Sequence, residues 1–225
     1  MKILFFFLFL LHSSPLFSQT SHTMNKTYTY LALGDSYTIG EAVLLHKNFP
    51  YQAVQQLREK GVRFLAPEII AKTGWTTDEL QAGMQGYRFL PSYDLVTLLI
   101  GVNNQYRGRS SEEYRGHFEK LLQEAIRLAG GNAQKVYVFS IPDYSATPFA
   151  ETMDRSKISR ELDAYNAIAQ KLAQYYQVSF IDITEGSRDA KQDLELVASD
   201  KLHPSEKEYE KWAAKLVESF MKGLN

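Results

Sequence analysis

The sequence contains no cysteine. That absence removes disulfides, thiol nucleophiles, thiolate metal sites and a lipidated N-terminal cysteine together. There is also no surplus of one charge: 25 Lys and Arg face 26 Asp and Glu, leaving a net charge of −1. Without a basic block, nucleic acid and anionic membrane surfaces are excluded as expected partners. No internal repeat and no low-complexity linker divides the chain, so its 225 residues fit one domain. His-Glu-x-x-His, an EF-hand loop and the Gly-x-Ser-x-Gly elbow of the α/β-hydrolases are all missing. With 44% hydrophobic and 23% charged residues, the chain has enough apolar material for a folded core.

Long apolar runs are missing too, except at the start. Lys2 precedes Ile3 to Leu11, all apolar, followed by His12-Ser13-Ser14-Pro15-Leu16-Phe17-Ser18. A bilayer span needs about 20 apolar residues, and this run is shorter. A positive start, a short apolar stretch and a small residue at Ser18 have the pattern of a cleavable secretory signal over residues 1–18. The alternative is an uncleaved anchor. Residues 19–26 form a polar lead-in and residues 27–225 the folded domain. The expected location is secreted or periplasmic, which suits a chain without disulfides. No stable membrane insertion is expected after signal cleavage.

Along the domain, strand-like and helix-like segments alternate. Strands are expected at 28–33, 63–70 (interrupted by Pro67), 94–100, 135–141 and 178–183. Helices are expected at 48–60, 76–82, 110–129, 158–176 and 205–221. The continuous apolar run Leu95-Val96-Thr97-Leu98-Leu99-Ile100 suits a strand covered on both faces. This alternation implies a mostly parallel sheet between two helical layers, with reactive groups in loops beyond the carboxyl ends of the strands.

Four segments fall in such loops. Gly34-Asp35-Ser36 follows the first strand. A turn there exposes a serine hydroxyl beside backbone N–H groups, although the same residues also suit an ordinary helix cap. A base is needed next, and the chain has five histidines. His12 and His22 lie ahead of the domain. His117 sits within a helix, and His46 is a loop residue. His203 lies in Asp200-Lys201-Leu202-His203-Pro204, where a compact turn brings a carboxylate to the ring Nδ1–H and frees Nε2 to accept a proton. Lys72-Thr73-Gly74 and Ile100-Gly101-Val102-Asn103 follow the second and third strands. They offer a backbone N–H and a side-chain amide to a developing negative charge.

Together these segments resemble the SGNH, or GDSL, hydrolase family, from about residue 29 to about residue 220. The resemblance implies a flavodoxin-like three-layer α/β/α sandwich with a mostly parallel five-stranded sheet of order 2-1-3-4-5. It also implies ester hydrolysis through a triad of Ser36, His203 and Asp200, with Ser36 N–H, Gly74 N–H and the Asn103 amide as oxyanion hole. No metal or organic cofactor is required. Two residues depart from the family pattern: Tyr37 stands for Leu, which touches packing, and Asn104 stands where many members carry Asp.

The expected partner is a small-molecule ester, either an acyl lipid or an acylated sugar. Val43, Leu44, Leu45, Tyr144, Phe149 and Met153 are candidates for an apolar pocket. Tyr106, Arg107 and Arg109 are candidates for contacting a sugar or an anionic head group. Two other functions use the same residues. One is an acyltransferase working through the same acyl-enzyme, and the other a non-catalytic carbohydrate-binding protein.

Overall fold

The computed structural model describes residues 26–224. The predicted signal over residues 1–18, most of the lead-in, and His12 and His22 lie outside the described residues. Five strands, β1 (Tyr30–Gly34), β2 (Glu68–Ala71), β3 (Leu95–Leu99), β4 (Val136–Phe139) and β5 (Ser179–Ile181), form one sheet. Its order is β2-β1-β3-β4-β5 and every pairing is parallel. All five residues of β1 and of β3 are buried, as the apolar runs require.

Among the described residues, eight α-helices lie between and after the strands: α1 (Ser36–Ile39), α2 (Phe49–Glu59), α3 (Thr77–Met84), α4 (Val102–Tyr106), α5 (Ser111–Leu128), α6 (Arg155–Tyr175), α7 (Thr184–Ser187) and α8 (Glu206–Leu224). One layer pairs α2 with α8, and the other packs α5 between α3 and α6. An aromatic seam joins α2 and α8 to the sheet. Phe49 meets Phe139 at 4.9 Å between ring centroids, and Trp212 meets Tyr209 edge to face at 5.1 Å. Burying a side chain of this kind contributes about 1.5–3 kcal/mol. Among the described residues, no helix is long and apolar enough to cross a membrane.

The expected second strand is shorter than its apolar pattern suggests. Pro67 has no N–H to give to the ladder, so β2 begins at Glu68, and Phe64 makes only an isolated bridge to Tyr28. Helix α6 starts one turn earlier than expected, because the Asp154 side chain accepts from the Lys157 N–H and caps it.

The chain leaves β1 toward β2, then returns past β1 to form β3. Their carboxyl ends therefore face connections that diverge, which opens a crevice at this reversal. Gly101 makes the turn out of β3 possible. Its φ is +131°, and a Cβ there would lie 2.5 Å from the Tyr114 ring. Gly34 is constrained by space, since a Cβ would lie 2.4 Å from the Leu99 carbonyl oxygen of the neighbouring strand.

Candidate active site

Ser36 is the first residue of α1, set directly off the end of β1. Asp35 caps the helix by accepting from the Tyr37 N–H at 3.0 Å. The Asp35 carboxyl is buried beneath the turn, its second oxygen has no partner, and burial pushes its pKa up to about 7. Tyr37 is buried and lies edgewise to both the His203 ring, at 5.5 Å, and the Trp212 ring, at 6.1 Å. The Tyr-for-Leu departure therefore supplies packing that reaches the imidazole.

His203 and Asp200 meet across a tight turn. Asp200 Oδ1 accepts the Leu202 and His203 N–H groups at 3.0 Å each, while Oδ2 lies 2.5 Å from His203 Nδ1. Lys201, between them, takes a left-handed φ of +67°. Burial works to raise the Asp200 pKa, but the bonds from the His203 ring and the two amides outweigh it, so the carboxyl stays below its ordinary value. The Phe149 N–H donates to the Lys201 carbonyl at 3.0 Å and ties this turn to the loop after β4.

One cavity of about 190 Å³ is lined by Ser36, Gly74, Asn103 and His203, with Tyr37, Thr73, Val102, Tyr106, Tyr144, Phe149 and Leu202 around them. The four segments picked out in the sequence thus converge on one space. Ser36 Oγ makes no hydrogen bond to the ring here; such contacts often tighten only when substrate is bound.

The Gly74 turn is held by the segment after β3. Asn103 Nδ2 donates to the Trp75 carbonyl at 2.9 Å, which leaves its second N–H for another acceptor. Arg107 donates to the Gly74 carbonyl at 2.7 Å and to Glu79 at 3.0 Å. Thr76 and Glu79 form a capping box at the start of α3. The Thr73 hydroxyl donates to Glu41, which joins the turn to the loop after α1.

Asn104 is wholly buried. Its Oδ1 accepts the Thr77 N–H at 3.0 Å and its Nδ2 donates to the Thr77 hydroxyl at 2.8 Å. Asn104→Ala would leave both Thr77 groups unpaired, at a cost of about 2–4 kcal/mol. The expected outcome is a markedly lower melting temperature. Asn104→Asp should sit much nearer wild type, because a carboxylate can accept from both Thr77 groups; thermal denaturation of the two variants checks this.

Several residues fall elsewhere than the sequence suggests. Val43 packs on the core, Leu44 and Leu45 point to solvent, and none of the three lines the cavity. Met153 and Arg109 line a neighbouring cavity, and Arg107 braces Gly74. His46 is exposed on a short 3-10 turn and His117 sits on α5, so neither reaches Ser36's cavity.

The wall formed by Tyr144 depends on residues with no motif. Asp143, fully buried, accepts from Arg188 Nε at 3.0 Å, Ser159 Oγ at 2.6 Å and the Ser145 N–H at 3.0 Å. These contacts fix the short 3-10 turn Tyr144–Ala146. Arg188 comes from the far side of β5, so only the fold reveals the pairing.

Beyond the strand ends of this parallel sheet of order 2-1-3-4-5, Ser36 and His203 share one cavity, and Asp200 lies against the His203 ring. The chain belongs to the GDSL-like lipase/acylhydrolase family, whose model matches residues 32–211. Similar folds include a lipolytic G-D-S-L protein from Veillonella parvula, 19% identical with a TM-score of 0.66, covering 88% of this chain and 100% of that one. A lipase/acylhydrolase from Enterococcus faecalis is 20% identical with a TM-score of 0.66, covering 88% and 96%. The acetylxylan esterase Axe2 from Geobacillus stearothermophilus is 19% identical with a TM-score of 0.66, covering 86% and 94%. No match was found among curated proteins. The protein is a carboxylic ester hydrolase.

Proposed function

We propose that the protein hydrolyses carboxylic esters through a Ser36 acyl-enzyme, with His203 as general base and Asp200 as its partner. The observation that carries this reading is the cavity where Ser36 faces the one ring whose Nδ1 is bound to a carboxylate. With Nδ1–H directed to Asp200, Nε2 is the free lone pair. Ser36 Oγ attacks the ester carbonyl carbon as His203 Nε2 takes its proton. The carbonyl oxygen becomes an oxyanion, held by Ser36 N–H, Gly74 N–H and the free N–H of Asn103. Collapse expels the alcohol, which takes the proton from His203. Water, deprotonated by His203, then attacks the acyl-enzyme; the acid leaves as His203 returns that proton to Ser36 Oγ. Asp200 stabilises the imidazolium in both halves.

The acyl group fits a space of about 190 Å³ walled by Val102, Phe149 and Leu202, which favours short acyl chains. The apolar N-terminal run of signal type supports export, so the enzyme acts outside the cytoplasm.

An organophosphonate tests the central assignment. It should add one covalent label, and peptide mapping should find it on Ser36. A label on Ser140, Ser145 or Ser205 would overturn the mechanism.

Asn103→Ala measures the oxyanion contribution. Losing one such donor typically costs about 10²–10³ in kcat. The donor acts in the transition state, so kcat and kcat/KM should fall together with KM nearly unchanged. A stable Asn103→Ala enzyme with wild-type kcat would refute the role.

A further inference from the structure

The cavity at Ser36 has a larger neighbour of about 570 Å³, between the end of α4 and the first half of α6. Tyr106 and Tyr144 line both spaces, their rings edge to face at 6.2 Å. The two cavities therefore adjoin at these rings. The larger one is within the roughly 300–1,000 Å³ typical of small-molecule sites, whereas the smaller one is below it.

The chemistry of the two spaces differs. The larger cavity carries Arg109 and Lys157 against Asp154 and Glu161, so its charges balance. Arg109 is already paired with Asp78 at 2.6 Å and Glu113 at 3.0 Å, and Asp154 caps α6 through the Lys157 N–H. Lys157 Nζ and Glu161 Oε1 are only loosely paired, at 3.8 Å, and remain a donor and an acceptor for a ligand. Gln105 fixes the floor: its Nε2 donates to Glu161 Oε2 at 2.8 Å, and its Oε1 accepts from the Tyr144 hydroxyl at 3.0 Å.

An anionic group would find no net positive charge in this cavity. An acyl chain would have to strip water from Lys157 and Glu161 with nothing to replace it. A polyhydroxylated group meets neither obstacle. Its C–H face can lie on the Tyr106 ring, which is 55% exposed, while its hydroxyls reach Lys157 and Glu161.

We propose that this cavity is the alcohol-side subsite of the ester bound at Ser36, and that it takes a neutral polyhydroxylated group of one or two sugar units. The inference rests on the reading of Ser36 as nucleophile. The short acyl group then occupies the smaller space, and the sugar lies beyond Tyr106 and Tyr144.

The test compares kcat/KM for an O-acetylated disaccharide with that for p-nitrophenyl acetate in wild type, Ala164→Trp and Glu161→Gln. Ala164 is an exposed residue of α6 that lines the larger cavity, so an indole there fills the space without entering the core. The ratio of sugar ester to p-nitrophenyl acetate should fall about tenfold or more in Ala164→Trp, the loss of one well-placed ligand group or two. Glu161→Gln should lower it less, in the same direction. A ratio unchanged in both variants would overturn the proposal. So would a wild-type enzyme that cleaves tributyrin or phosphatidylglycerol vesicles more efficiently than the sugar ester. Failure of the nucleophile reading shows itself separately, as p-nitrophenyl acetate turnover that survives in Ser36→Ala.

Discussion

His203→Ala is expected to lower kcat by about 10⁴–10⁶-fold while the protein stays folded. Among the described residues, His203 is the one histidine in the cavity with Ser36, and Asp200 holds its Nδ1 at 2.5 Å. Without it, no group there takes the serine proton or returns it to the leaving alcohol. The residual rate comes from the oxyanion donors and substrate binding alone. His46→Ala and His117→Ala supply the contrast, since neither residue lines the cavity, and both should keep wild-type kcat to within about twofold. Steady-state kinetics on the three variants decide the matter. If His117→Ala were the inactive one, the assignment of the base would be wrong.

Ser36→Ala should lose kcat on the same scale. The side chain is small and 5% exposed, and deleting its oxygen leaves no core cavity, so the melting temperature should stay close to wild type. The stronger form of this prediction uses the double variant. A nucleophile and its base act as one unit, so Ser36→Ala/His203→Ala should be about as slow as either single variant, not slower by the product. Multiplying losses would mean the two residues serve separate steps.

Much of this arrangement could be read from the sequence, for identifiable reasons. The runs at Tyr30–Gly34 and Leu95–Leu99 carry their burial in composition, because strands covered on both faces must be apolar throughout. Ser36, Gly74, Asn103 and His203 stood out because each sits in a short segment with its own local chemistry after a strand or before the last helix. The short helices α1 and α4 were not legible: four or five residues cannot establish a helical period. Asn104 looked like a departure from a motif, while its real work is a bond to Thr77, 27 residues away. Arg107 reads as a candidate for substrate contact, but its bond to Gly74 and the Asp143–Arg188 pair are not legible for the same reason, since partners far apart in sequence leave no periodic trace. Leu44 and Leu45 misled in the opposite direction, because an apolar residue near a motif is not obliged to face it.

The buried Asp35 carboxyl has a consequence for stability between mild acid and neutral pH. Its folded pKa, about 7, lies above the ordinary carboxylate range, so the folded protein holds a proton that the unfolded chain has already released. By linkage, this group favours the folded state at low pH and withdraws that support as pH rises from about 4 to about 7. Asn keeps the cap acceptor for Tyr37 and cannot ionise. The stability of Asp35→Asn relative to wild type should therefore grow across that interval, by on the order of a few kcal/mol, and level off above it. Paired melting curves from pH 4 to pH 8 measure it, and a constant difference would show that Asp35 stays charged. The residue that seats the nucleophile thus makes the fold less stable at neutral pH than in mild acid, by an amount that no longer changes above about pH 7.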